Sequence, residues 1–457
     1  MIYNKKEENS ISVENRIMTR TLDLLDMSTC NFMAVEAVGE KLEEKGFKEL
    51  FEYDEWKLDK GGKYFVKKNG SAIFAFVVGM GPVEHHGFKI ISAHTDSPCF
   101  KLKPNCEIYG DGGVVSLNVE KYGGGILYTW FDRPLSISGR VMLRSEDPYS
   151  PIEILVDLEK PIATIPHLAI HFNREVNNGN PLSVQKDMKP VIGYFSKDEI
   201  KKYAENGGII ASLLCDHINQ FLMNAEKVTP KDILDYELCL YPLEGSSIVG
   251  VKGEYFQSAR IDDLSMAFAG LEALLEECDK PADSTRILAL FDNEETGSGT
   301  KQGAASPVLR HIAERVCLTM SENPQSMFMS FANSFMISAD DAHGWHPNYN
   351  EKYDPTNHPV LGGGPVVKIN ANCKYMTDGH GAAVFHALCE KAGVNMQYFV
   401  NHADVAGGST LGNISSSQMD IPGVDVGCAI WAMHSARETA AVSDHLDMIK
   451  VFRQFLK

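Results

Sequence analysis

Apolar residues recur at helical spacing in "NRIMTRTLDLLDM", stop at "STCN", and resume in "FMAVEAVGEKLEEKGF" before Gly46. Two helices are therefore predicted across 15–46. Strand-like runs follow at "KYFVKK", "SAIFAFVVG" and "FKIISAHTD". From about residue 100 the texture changes. "GGVVSLNVEKYGGGILYTWF", "LSISGRVMLR" and "IEILVDL" are short, alternating and separated by Gly, Pro and Asp, which predicts an all-β segment. It runs into the Asn-rich loop "HFNREVNNGNPLSVQ" and a helix near 209–226. After "LYPLEG" helices and apolar strands alternate again. "LSMAFAGLEALLEEC", "ASPVLRHIAERVC" and "GHGAAVFHALCEKAG" read as helices, while "STRILALF", "SFMISAD", "MQYFVNH" and "VDVGCAIWAMH" read as strands. The predicted fold class is α/β, a mixed and largely parallel sheet flanked by helices. Residues 1–99 and 237–457 would form it, with a β-rich domain inserted at 100–236.

Composition narrows the picture. A chain of 457 residues with 44% hydrophobic residues can bury a sizeable core. A net charge of −18 without a basic tract argues against nucleic acid and anionic membranes as partners. The longest apolar stretch, "AIFAFVVGM" (72–80), is far short of the roughly 18–20 residues of a spanning helix. The N-terminal "MIYNKKEENSISVENR" lacks the apolar core of a signal peptide. Ten scattered cysteines with no C-x-x-C do not make a disulfide framework. The expected location is a reducing cytoplasm.

Several apolar runs end in side chains that bind metals. "KIISAHTD" ends in His94 and Asp96, "SARIDD" in Asp262 and Asp263, "RILALFDNEE" in Glu294 and Glu295, "FMISADDAH" in Asp340 and His343, and "GCAIWAMHS" in His434. One such terminus is more often a hydrogen-bonded structural residue; five repeat a pattern. Parallel strands would bring these ends into one crevice. The set is oxygen-rich, with imidazoles and no thiolate, which suits an open catalytic site rather than a closed structural one. A carboxylate between two ions roughly 3.5–4 Å apart, with one His and one carboxylate on each, would polarise a carbonyl and supply hydroxide near neutral pH. The adjacent Glu294 and Glu295 then divide the work, one binding metal and the other taking the proton. The glycine clusters at 123–125, 362–364 and 407–408 have no phosphate-loop context and read as turns.

"SAHTDSPCFKLKP", "VEKYGGGILYTWFDRPLSISGRV", "IPHLAIHFNREVN", "FDNEETGSGTKQGA", "SADDAHGWHPNY", "GGPVVKIN", "GGSTLGN" and "MHSARE" resemble, in order and spacing, the aspartyl aminopeptidase family (peptidase family M18), dinuclear zinc aminopeptidases. The resemblance implies two Zn2+ per subunit, with Co2+ and Mn2+ also suited to the donors. His94 and Asp340 would hold one ion, Glu295 and His434 the other, with Asp262 as the bridge and Glu294 as general base. Asp96, two residues after His94, would orient that imidazole. His171, His343, Lys368 and Tyr375 match positions that contact substrate, His171 reaching a neighbouring subunit from the insert. The substrates implied are peptides with a free N-terminus, Asp and Glu among the candidate first residues. The assembly implied is a tetrahedral homododecamer, built from dimers joined through the insert. One departure is "RIDDL", where the family often has Asp-Asn, so Asp263 adds a carboxylate beside the bridge. Rival readings are a metal-dependent deacylase or carboxypeptidase on a related scaffold, and a non-catalytic cargo-binding shell. Taken without the resemblance, His171 could be a loop residue, Lys368 an exposed strand residue, and His346 a loop stabiliser.

Overall fold

The computed structural model describes residues 13–222 and 226–457; the first twelve residues of the polar N-terminus and positions 223–225 of the expected helix 209–226 lie outside them. Apolar runs without alternation behave as strands covered on both faces. Thr285–Phe291 is buried at every residue and Phe88–His94 at all but Lys89. These two strands pair in parallel, and Phe335–Ala339 and Gly423–Gly427 extend the parallel block beyond Phe88–His94. Five more strands complete a nine-stranded mixed sheet, with antiparallel pairing to Ala72–Val77 on one side and Val366–Lys368 on the other.

Helices cover both faces, as parallel crossovers require. One layer holds Val13–Met27, Asn31–Glu44, Ile261–Glu277, Gly379–Ala392 and Val442–Leu456. The other holds Val308–Met320, Ser326–Ala332 and Leu411–Met419. The helix Ile261–Glu277 is buried almost throughout, which explains its small and apolar residues on every side.

A second, six-stranded antiparallel sheet has its own core of Leu117, Leu135, Ile137, Val141 and Leu214, backed by the helix Ile209–Phe221. It begins at Cys99–Tyr109 and ends at Ile233–Pro242. The expected domain boundary at 236/237 falls inside that last strand, which pairs with Leu135–Leu143 out to Pro242. Leaving the sheet at 237 would strip ladder hydrogen bonds from the strand, so the chain stays to its end.

A third sheet joins five short strands, among them Tyr255–Ser258, Ala429–Trp431 and Glu438–Ala441. Three of the five expected strand ends, those after Phe88–His94, Thr285–Phe291 and Phe335–Ala339, do lie at the carboxyl edge of the parallel block. The other two do not. Asp262 sits in the first turn of Ile261–Glu277, and His434 follows a strand of the small third sheet.

Candidate metal centre

The carboxyl ends of the parallel strands and the two loops from the small sheet converge. His94, Asp262 and Asp340 offer donor atoms all within 4.8 Å of one another, and so do Asp262, Glu295 and His434. Asp262 belongs to both groups. Its Oδ1 lies 3.6 Å from His94 Nε2 and its Oδ2 3.2 Å from His434 Nε2, while Glu295 Oε1 lies 3.3 Å from the same His434 nitrogen. Asp262 Oδ1 and Glu295 Oε1 are buried and have no hydrogen-bond partner among the described residues. Buried carboxylate oxygens are costly unless paired, so two orphaned oxygens facing two imidazoles fit a site made for cations.

The electrostatics agree. Burial alone would lower His94, but Asp262, Asp96 and Asp263 hold it well above the ordinary histidine range. His434 is likewise opposed by burial and raised by Asp262. For Asp262, burial raises the carboxyl and the two imidazoles more than reverse it. Glu294 also stands near His94, but burial first, then Asp340, Asp262 and Asp96, outweigh that charge and push it up to about 8. Burial also raises Glu295 well above its usual range.

Backbone geometry carries these side chains. Arg260, Asn293 and His434 have φ of 62°, 64° and 67°, a left-handed conformation that L residues adopt only when surroundings hold it. The holding groups are visible. Asn293 Nδ2 donates to Tyr122 Oη at 2.9 Å, and its Oδ1 accepts from Thr300 Oγ1 at 2.8 Å and from Gln302 Nε2 at 2.9 Å. Glu438, fully buried, accepts from Asp262 N at 3.0 Å and from His434 N at 2.6 Å, clasping the backbones of both residues.

Asp96 meets the His94 imidazole through two groups. The nearest oxygen to His94 Nδ1 is the Asp96 main-chain carbonyl at 2.9 Å, with the carboxylate at 3.4 Å. That carboxylate also accepts the main-chain N–H groups of Glu294 and Glu295, each at 3.1 Å, and the Tyr122 hydroxyl at 2.6 Å. Asp263 sits beside the centre, its Oδ2 accepting from His94 N at 3.1 Å.

Lys368 is not an exposed strand residue. It is buried, with Nζ 3.3 Å from Asp340 Oδ1, donating to Asp341 O at 3.0 Å and lying 5.7 Å from the Tyr375 ring centre. Burial opposes its charge, but Asp340, Tyr375, Asp425 and Asp262 hold it above the usual lysine range. His343 faces solvent beside this group, its imidazole held below the usual range by the crowding around it and by the Lys368 charge. A recess of about 200 Å3, lined by His343, His346, Tyr353, Trp431, Met433 and His434, opens alongside. His346 accepts from Asn348 N at 3.2 Å, as a loop stabiliser would. His171 is exposed on its loop and belongs to none of the donor groups found among the described residues. Sequence reasoning missed Tyr122 and Glu438; the one available signal was a carboxylate four residues after His434.

A mixed α/β sheet whose strand ends carry imidazoles and carboxylates, without a thiolate, defines a metallohydrolase. Comparison with known proteins gives the family. The family model described as aminopeptidase I zinc metalloprotease (M18) matches residues 24–456. The probable M18 family aminopeptidase 2 of Clostridium novyi is 43% identical over 448 residues, 98% of this chain and 99% of that protein. Among solved structures, a chain of the Ape4 and Nbr1 complex superposes with a TM-score of 0.93 at 33% identity, covering 98% of this chain and 87% of that one. A chain of the S. cerevisiae mApe1 dodecamer gives 0.82 at 27% identity, covering 97% and 96%. The chain belongs to the M18 aminopeptidase family and is a metal-dependent aminopeptidase. Membership sets aside the deacylase, carboxypeptidase and inert-shell readings. Among the described residues no helix is long and apolar enough to cross a membrane.

Proposed function

We propose that the protein removes N-terminal residues from peptides with two zinc ions per chain. His94 and Asp340 would hold one ion and Glu295 and His434 the other, with Asp262 shared between them. The observation that carries this reading is the carboxylate of Asp262, directed at an imidazole on each side. Bound there, the ions supply Lewis acidity to a carbonyl and lower the pKa of water. Glu294, half-buried and raised by its surroundings, takes a proton from the attacking water and returns it to the leaving amine. Asp96 keeps Glu294 and Glu295 in register through their N–H groups. His343 donates to the developing oxyanion from the solvent-facing side of the centre. A free α-amino group is drawn to the same carboxylates, which restricts cleavage to the first residue.

Side-chain preference is the finer part. Lys368 is a buried cation beside Asp340, and with Tyr375 it favours an acidic N-terminal residue. Its pairing with Asp340, and the aromatic and aliphatic lining of the recess beside His434, favour a neutral one.

Assembly into a homododecamer, with tetrahedral symmetry, is supported by the likeness to mApe1 and by the loop that bears His171. That loop exposes Leu168, Ile170 and Phe172, a surface suited to a second copy, which would deliver His171 to a neighbouring centre. The β-rich unit would then be the dimerising domain.

Release of single residues from Asp-, Glu- and Leu-anilides and from N-acyl controls, before and after chelation and with Zn2+, Co2+ or Mn2+ restored, tests the reading. Metal-restored release from free amino termini is expected. Cleavage of the N-acyl controls alone would refute it.

A further inference from the structure

The glycine cluster 123–125 lies at the metal centre rather than at a remote turn. It continues from Val114–Tyr122, a strand of the second sheet, and crosses to the large sheet's carboxyl edge. Four contacts fix it there. Tyr122 Oη donates to Asp96 Oδ2 at 2.6 Å. A Cβ on Gly123 would come within 3.1 Å of Glu295 Cβ, at a φ of 70°. His434 Nδ1 lies 3.3 Å from the carbonyl oxygen of Gly124. Ile126 N donates to His434 O at 2.9 Å. Past the strap, Thr129 Oγ1 accepts from Ala436 N at 2.8 Å, so the contact continues along the chain that leaves His434.

Each contact has a chemical consequence. Asp96 must hold two N–H groups with a buried carboxylate, and the phenol satisfies the oxygen facing the second unit. With Nδ1–H donated to Gly124 O, the imidazole of His434 presents a bare Nε2 toward Asp262 and Glu295. The missing side chain at Gly123 lets Glu295 pack against the strap.

We propose that Tyr122–Ile126 is a positioning strap through which the β-rich unit sets the Glu294–Glu295 turn and the His434 tautomer. This unit thereby serves turnover as well as any assembly. The proposal rests on the two-ion aminopeptidase reading above. Tyr122 is a positioning residue; it acts through Asp96 and touches no substrate.

The test uses the full chain loaded with Zn2+. Wild type must first release N-terminal residues, since inactivity there would count against the aminopeptidase reading and not the strap. Tyr122→Phe should then lower kcat at least tenfold with KM within about twofold. Tyr236→Phe, which removes a phenol from the same sheet that donates to Lys103 O, should leave kcat unchanged. In an Asp96→Asn background Tyr122→Phe should cost less than threefold, because its route to the turn is already cut. Gly123→Ala, which also strains the backbone at that φ, should weaken retention of one of the two ions. A kcat loss below tenfold in Tyr122→Phe, or an equal loss in both backgrounds, would overturn the proposal.

Discussion

The two halves of the centre are built differently. His94 ends one strand, Phe88–His94, and Asp340 follows its parallel neighbour, Phe335–Ala339, whose ladder fixes their separation. Glu295 and His434 stand on left-handed turns, braced by Asp96, Glu438 and the strap from the second sheet. Regular strands position side chains more tightly than loops do. The second half therefore depends on buried polar partners that the first half takes from the backbone of the sheet. Asp262 joins them from a third place, the turn into a buried helix.

Perturbations should separate the halves by size of effect. Glu294→Gln removes the base and should lower kcat about 10²–10⁴-fold while both ions stay bound; full activity would cancel the role. His445 separates global stability from the centre. Burial pushes this imidazole down to about 4, against roughly 6.5 unfolded. It stays neutral in the native state, so its contribution is intact above the unfolded pKa and is lost as pH falls from about 6.5 to about 4. The loss approaches about 3 kcal/mol. Denaturant titrations of wild type and His445→Gln should show a smaller acid-side drop in the variant, and parallel curves would contradict this.

Glu438 braces both Asp262 and His434. Glu438→Ala should weaken metal binding by about 10- to 100-fold, with Glu438→Gln retaining part of it. Equal affinity in a competition with a chelating dye would leave the clasp without function. Finally, Glu295 and His94 are raised by their surroundings, and Glu294 is pushed up to about 8. Metal entry should release protons, so affinity should rise with pH by about tenfold per pH unit for each proton released. Calorimetry in buffers of different ionisation enthalpy reads this directly, and a pH-independent affinity would contradict it.

What the sequence disclosed follows the same division. Continuous apolar runs ending in His94, Glu294–Glu295 and Asp340 were readable, because buried parallel strands have a plain pattern and their polar ends stand out. Asp262 and His434 were found as residues but assigned to the wrong kind of element, since "SARIDD" and "GCAIWAMHS" look like strand ends although they lead to a helix start and a turn. The end of the second sheet was missed by a few residues, because "ELCLYP" has no polar break where pairing continues. The C-terminal helix Val442–Leu456 went unread, and so did Tyr122 and Glu438. Part of their importance comes from contacts between distant stretches, Glu438 with Asp262 and Tyr122 with Asn293, which no local pattern encodes. Lys368 looked exposed because a charge after "GGPVV" is ordinarily solvated, whereas Asp340 and Asp341 draw it inward.

Counting bound metal in four proteins tests the central claim most directly. Wild type should hold two ions per chain by mass-spectrometric metal analysis. Asp340→Ala and Glu295→Ala should each retain one, and Asp262→Ala, which removes the shared carboxylate, should retain none at equal fold stability. Two ions still bound in Asp262→Ala, or loss of both in each of the other variants, would contradict two halves sharing one carboxylate.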